Sequence, residues 1–325
     1  MDLDFDPATI TLATFNTLLG AFETTVRQIA RTKALLKSKS KLKSASNVKK
    51  MMKQTGKRAA LSAKDAEEAQ YEHAEDLDLV DAQVRDFLEL DEWRYKALPD
   101  VVEKRRGGKD EGEGEGYLSK DELIRLTEWK LKHGVYRPTL LGMVRQNQDK
   151  TVSRATASAF SSLSSLAGSI ETVETALSTL TTPLRGVGPA TASLILSTAS
   201  KDVPFYSDDV FLWLCVGVYP FHSSSTKTSK EVKPNGELNA KYNVAEYRRL
   251  WEGVQGLRER LNEGVEKGKE VSCSDVERVA LVVRRFGQSG LGILQDDEAG
   301  EQDDEKEDPK ESGGSGDGRR KRRRI

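Results

Sequence analysis

Leu184-Arg185-Gly186-Val187-Gly188-Pro189-Ala190-Thr191-Ala192-Ser193-Leu194-Ile195-Leu196 is the stretch that decides the fold. An amphipathic pattern over Thr172–Leu180 predicts a helix that runs into a tight turn with two glycines, and a second helix is predicted to begin at Pro189. Gly186 and Gly188 permit a positive φ and leave no side chain between the backbone and an approaching anion. The turn gathers N–H groups at the positive end of the following helix, which is the geometry that holds phosphate. Proline at the first helical position forfeits no hydrogen bond, because that N–H has no partner inside a helix. Ala190 and Ala192 are small enough for two helices to pack closely, and Leu184 and Val187 anchor the turn in a core. A phosphate-binding turn of this kind positions a protein on DNA through the backbone without reading bases, with Arg185, Gly186, Val187, Gly188, Pro189 and Thr191 as the candidate contacts. The bland alternative is an ordinary tight turn that only packs two helices.

Outward from this hairpin the signals are helical. Ser119-Lys120-Asp121-Glu122 reads as a capping box opening a helix to His133, closed by Gly134. Pro138 suits the first turn of a helix over Thr139–Asn147, and Thr151–Leu163 and Ile170–Leu180 follow. Downstream, helices are predicted over Val244–Val265 and over Ser274–Phe286, the latter opened by Ser274-Asp275-Val276-Glu277. His222–Asn239 reads as a loop around Pro234-Asn235-Gly236. Upstream, Ile10–Leu36 is expected to be one helix and Lys37–Lys57 a mobile Ser/Lys-rich stretch. Ala63–Leu98 reads as one or two helices ended by Pro99, and Arg105–Gly116 as a Gly/Glu-rich loop. No alternation suggests a sheet. The expectation is therefore an all-α helical bundle at residues 69–294, with a basic helix and flexible arm at 1–68 and a disordered charged tail at 295–325.

Composition bounds the function. Hydrophobic residues are 37% and charged residues 32%, too polar for every segment to be packed core. Two cysteines, Cys215 and Cys273, provide neither a disulfide framework nor the ligands of an iron–sulfur cluster, and suit a reducing compartment. Three scattered histidines match no zinc spacing, so neither a metal nor another cofactor is expected. No apolar run reaches membrane-span length and Met1–Asp6 is not a signal peptide, so no membrane partner is expected. The net charge of -1 conceals segregation: Thr24–Lys64 holds no acidic residue, Asp296–Asp308 is mostly acidic, and the chain ends in Arg319-Arg320-Lys321-Arg322-Arg323-Arg324-Ile325.

Downstream of the hairpin lies Val203-Pro204-Phe205-Tyr206-Ser207-Asp208-Asp209-Val210-Phe211-Leu212-Trp213. Together with Leu-x-Gly-Val-Gly-Pro-x-Thr-Ala it resembles the helix–hairpin–helix DNA glycosylase superfamily, whose hairpin commonly reads Leu-Pro-Gly-Val-Gly-x-x-Thr-Ala. The resemblance implies a catalytic aspartate after the hairpin, at the start of another helix. Counted without gaps from Gly188, Asp208 matches the aspartate of the endonuclease III type; the alkylation-repair branch uses the second of a paired Asp-Asp, which points to Asp209. Adjacent helical residues diverge by about 100°, so one of the two is expected to face a pocket. The implied chemistry is cleavage of the bond between a base and deoxyribose, with a carboxylate facing the positive charge that develops on the sugar. A base flipped from the duplex needs aromatic walls, for which Phe205, Tyr206, Trp213, Tyr136 and Trp129 are candidates, with Lys130 and Arg137 as phosphate or pocket contacts. Ser207 as an N-cap and aspartates in a first helical turn are equally explained by helix stability alone.

The cluster Glu128-Trp129-Lys130-Leu131-Lys132-His133-Gly134-Val135-Tyr136-Arg137-Pro138 extends the resemblance to a divergent eukaryotic branch, the Amun-like glycosylase-domain proteins, over Phe87–Phe286. Bifunctional members of the superfamily carry a lysine nucleophile where this chain has Ala190, which implies a monofunctional N-glycosylase of the base-excision repair type. The alternative is a catalytically inactive DNA-binding or regulatory module. The basic run Arg319–Arg324 reads as a nuclear localisation signal, so DNA and the nuclear import machinery are the expected partners and the nucleus the expected location.

Overall fold

The computed structural model describes residues 3–53, 63–107, 116–135, 137–165, 169–220 and 230–291. Among them the chain is all-α: twelve α-helices, two π turns and one 3₁₀ turn, with no strand and a single antiparallel bridge, Val232 to Leu238. No helix among these residues is long and apolar enough to cross a membrane.

Local signals place most helices where the sequence puts them. Helix α5, Lys120–His133, starts at Ser119, whose hydroxyl accepts from the Glu122 amide while the Glu122 carboxylate accepts from the Ser119 amide at 2.8 Å. Arg105 then grips Glu122 with two nitrogens, at 2.7 and 2.9 Å, and fixes that carboxylate in place. Such a cap is worth about 1 kcal/mol. Helices α6 (Leu140–Arg145), α7 (Asp149–Ser165) and α8 (Ile170–Thr181) follow in the expected order. The turn then leads to α9, Pro189–Leu196, which is buried at nearly every position.

Helix α10 is one turn long, Asp208–Phe211, capped by the Ser207 hydroxyl, and it widens at once into a π turn, Leu212–Val216. Helices α11 (Val244–Leu261) and α12 (Cys273–Arg284) close the bundle. Helix α12 is capped by Ser272 and Asp275 rather than by Ser274 and Glu277. Glu277 is buried instead, accepting from the Tyr95 hydroxyl at 2.8 Å and lying 3.6 Å from Arg94.

The N-terminal third departs most from expectation. One predicted helix becomes two, α1 at Leu12–Gly20 and α2 at Phe22–Lys53, separated at Ala21 after a helix-weakening glycine. The backbone of α2 continues helical through most of the stretch expected to be mobile. Helix α3, Ala63–Glu92, runs through a π turn, Trp93–Ala97, directly into α4, Leu98–Arg106. Pro99 therefore does not stop the chain; it occupies the first turn of α4, where its missing N–H costs nothing.

The described N-terminal residues from Phe5 to Ala34 pack into the bundle. Phe5, Ile10, Phe15 and Leu18 belong to the same apolar core as Trp213 and α12, and Val26, Ile29 and Ala30 of α2 pack on Val84 and Phe87 of α3. The Arg260 guanidinium binds the carbonyls of Ile10 and Pro7, both at 2.8 Å. Burial of these apolar side chains at roughly 1.5–3 kcal/mol each outweighs any tendency of a basic segment to float free.

Candidate functional site

The turn between α8 and α9 is held from behind. Leu184 and Val187 are buried, Asn147 accepts from the Arg185 amide at 2.8 Å, and the Asn147 side-chain amide donates to the Arg185 carbonyl. Val187 N–H bonds the Leu184 carbonyl. That leaves the amides of Gly186, Gly188 and Ala190 without a partner among the described residues.

The two glycines differ. Gly186 has φ +76° and faces α6 so closely that a Cβ would sit 3.0 Å from Met143 Cβ and 3.1 Å from Val144 Cγ2. Gly188 has φ -96°, an extended backbone that any residue adopts, and a Cβ there would touch nothing within 4 Å. Positive φ thus explains Gly186 and not Gly188, whose bare backbone faces open space at the start of α9.

A cavity of about 630 Å³ opens beside this turn. Gly186, Gly188, Pro189, Ala190 and Thr191 form one wall, Trp129, Lys130 and Arg137 a second, and Phe205, Tyr206, Asp208 and Asp209 a third. Its size falls within the range of small-molecule and cofactor pockets. Six lysines and arginines against four carboxylates line it, which favours an anionic ligand.

Both aspartates face this space, contrary to the expectation that only one would. They have different surroundings. The Tyr242 hydroxyl lies 3.0 and 3.1 Å from the two oxygens of Asp208. Burial pushes the Asp208 carboxyl above its usual range, opposed by that hydrogen bond and by the charges of Lys130 and Arg137. Asp209 lies on the side of Arg284, 4.0 Å away, with a quarter of its side-chain surface accessible. Burial raises Asp209 to about 6, against the pull of Arg285 and with the push of Asp208. Two neighbouring carboxylates in unlike environments are a common way to divide acid and base work.

Lys130, at the end of α5, donates to the Thr191 hydroxyl at 3.0 Å, and its Nζ is 5.9 Å from the centre of the Phe205 ring. Burial lowers its ammonium to about 8, Asp208 opposing and Arg137 reinforcing the shift. Thr191 is itself buried, so its hydroxyl serves the cavity rather than an outer hairpin surface. Arg185 and Val187 do not line the cavity; Arg185 is exposed and bonds Gln146.

Of the aromatic residues singled out in the sequence, Trp129, Phe205 and Tyr206 line the cavity. Trp129 is anchored by its Nε1 to Asp91 at 3.0 Å, with the His133 ring stacked on it at 4.5 Å and Phe205 edge-on at 6.0 Å. Tyr206 donates to Glu246 at 3.1 Å and stacks on Phe211. Trp213 is not a wall. It is buried on the far side, its Nε1 bonded to the Phe5 carbonyl at 2.8 Å, because the residues after α10 turn into the N-terminal core. Tyr136 and Arg319–Arg324 lie outside the described residues.

Sequence reasoning missed Tyr242, Lys33, Lys241, Arg284 and Arg285, all of which line the cavity. The motif Asn243-Val244-Ala245-Glu246, a capping box in the structure, was a legible signal for the start of α11. Nothing local says that the residue before it reaches Asp208. No family model, no curated protein and no solved structure matches this chain.

Proposed function

We propose that this protein binds DNA through the α8–α9 turn and acts on a base turned out of the duplex, as a monofunctional N-glycosylase of the base-excision type working in the nucleus. The observation that carries this proposal is the meeting, in one cavity, of unpartnered backbone amides at Gly186, Gly188 and Ala190 with two carboxylates and the rings of Trp129, Phe205 and Tyr206. Three free N–H groups at the positive end of α9 suit a phosphate, which fixes the nucleotide next to the carboxylates. Turning a base out of the stack costs a few kcal/mol, recovered by packing between rings. As the base departs, positive charge grows on the deoxyribose, and the Asp208 carboxylate steadied by Tyr242 is suited to face it. Asp209, with its pKa near 6, exchanges a proton close to neutrality and is suited to the leaving base or to the attacking water.

The test is a set of duplex oligonucleotides, each with one damaged or mismatched base, assayed for release of that base. Asp208→Asn and Asp209→Asn are expected to abolish release while leaving binding to an uncleavable duplex intact. Binding without release from any substrate leaves the catalytically inactive DNA-binding module as the function. Absence of binding removes both.

A further inference from the structure

We infer that Lys33, Arg284 and Arg285 form a second phosphate subsite on the Asp209 side of the cavity, so that the ligand is an internal nucleotide of a strand, gripped by the phosphates on both of its sides. The inference rests on the proposed DNA reading and deepens it, because one phosphate held at the α8–α9 turn would suit a chain end or a free nucleotide equally well.

Five of the cations lining the cavity fall into two sets, one for each aspartate. Lys130 and Arg137 belong with Asp208. Lys130 Nζ is bonded to Thr191 beside the turn, the Arg137 guanidinium lies 4.9 Å from the centre of the Tyr242 ring, and the Tyr242 hydroxyl bonds Asp208. Both charges act on the Asp208 carboxyl. Arg284 and Arg285 belong with Asp209: Arg284 Nε is 4.0 Å from its carboxylate, and both charges pull on it. Lys33 reaches the same side from α2, and the charges that it feels are those of Arg285 and Asp209.

The second set carries more positive charge than its neighbours cancel. Lys33 donates to the Lys132 carbonyl and Arg284 to the Gly236 carbonyl, and neither acceptor is charged. The Arg285 guanidinium has no hydrogen bond or ion pair among the described residues. Of the other acids in the lining, Glu277 is taken by Tyr95 and Arg94, and Glu237 by Lys233 at 3.2 Å. Asp209 is left to face three cations. The strain of that arrangement shows in Lys33, whose ammonium is held below its ordinary value by loss of solvent and then by the Arg285 charge. The last turn of α12 favours cations, which accounts in part for Arg284 and Arg285. It does not account for Lys33, which arrives from another helix. Cations gathered from separate elements with too few counter-ions are suited to a bound anion. Lys33 and Arg285 are both exposed, so a backbone phosphate reaches them from solvent. With the free amides of the turn and Lys130 serving Asp208, and this set serving Asp209, the sugar that joins two phosphates lies against the acid pair.

The full-length protein would be titrated with a duplex carrying one tetrahydrofuran abasic analogue. A series of the same duplex has one phosphate at a time near the analogue replaced by an uncharged methylphosphonate. The wild type is expected to lose about tenfold in affinity at two positions, one on each side of the analogue. Lys33→Gln combined with Arg285→Gln is expected to weaken binding to the unmodified duplex by about tenfold and to make the slope of log affinity against log salt shallower by about one. It is also expected to erase the response at one of the two positions and keep the other, and the surviving response reports that the variant still folds and docks. A wild-type response on one side only, or a double variant that responds on both sides or on neither, overturns the inference and leaves the DNA reading standing. Failure of the wild type to bind any of these duplexes refutes the DNA reading, and the inference falls with it.

Discussion

The Tyr242 hydroxyl touches both carboxylate oxygens of Asp208, at 3.0 and 3.1 Å, from the one non-glycine residue with a positive φ, +56°, among those described. A left-handed backbone on an aromatic residue costs about 1–3 kcal/mol, and strain of this kind tends to sit where it aims a functional group. The direction of influence is clear: the hydrogen bond lowers the Asp208 pKa against burial. Tyr242→Phe is therefore expected to raise that pKa, shift the acidic limb of any pH–rate profile to higher pH, and slow base release by about tenfold. A profile unchanged in shape and height would show that Tyr242 only packs.

The two glycines of the turn separate folding from binding. Gly188→Asp places a favourable N-cap on α9 in an extended backbone with open space around it. Thermal stability is expected to hold or rise by up to about 1 kcal/mol. DNA affinity is expected to collapse, because the new carboxylate takes the free amides and repels phosphate. Gly186→Val should do the reverse first: it strains φ +76° and drives into Met143 and Val144, costing about 1–3 kcal/mol of stability in urea unfolding.

Asp209 gives stability a pH signature. Its folded pKa of about 6 lies above the ordinary aspartate value of 3.8, so the contribution of its neutral form is complete below about pH 4 and is lost as pH rises through about 6. Asp209→Asn removes that loss. The variant is expected to match the wild type near pH 4 and to exceed it by about 2 kcal/mol at pH 8, as read from urea midpoints at the two pH values. Equal differences at both pH values would place the burden on another group.

Trp213→Phe tests whether the far side of α10 is structural. Losing the bond from Nε1 to the Phe5 carbonyl, and part of a buried ring, is expected to cost about 1–3 kcal/mol. DNA binding at a temperature where the variant stays folded is expected to be unchanged.

Legibility in the sequence followed the range of each interaction. Ser119 with Glu122, Ser207 before the aspartates and Pro189 after Gly188 are contacts within one helical turn, and each stands where its spacing indicates. The turn, Trp129, Lys130, Phe205 and Tyr206 line one cavity, a convergence that spacing in the sequence gives no distance for. Contacts between residues far apart in the chain were not legible. Trp213 looks like a pocket ring until the Phe5 carbonyl is found beside it, 208 residues away in sequence. Glu277 looks like a cap until Tyr95 and Arg94 close over it. Basic character misled at the N-terminus, since Lys33 reaches the cavity wall while its helix neighbours Ile29 and Ala30 are buried.

The clasp between Arg260 and the carbonyls of Pro7 and Ile10 sets a practical boundary for the smallest piece that folds. A fragment cut at Ala69, which charge patterns alone would recommend, strips the cover from Trp213, from Phe87 and from the apolar face of α12 together. It would expose enough greasy surface to self-associate, and an inactive preparation of it would say nothing about chemistry. Any minimal version should begin ahead of Phe5.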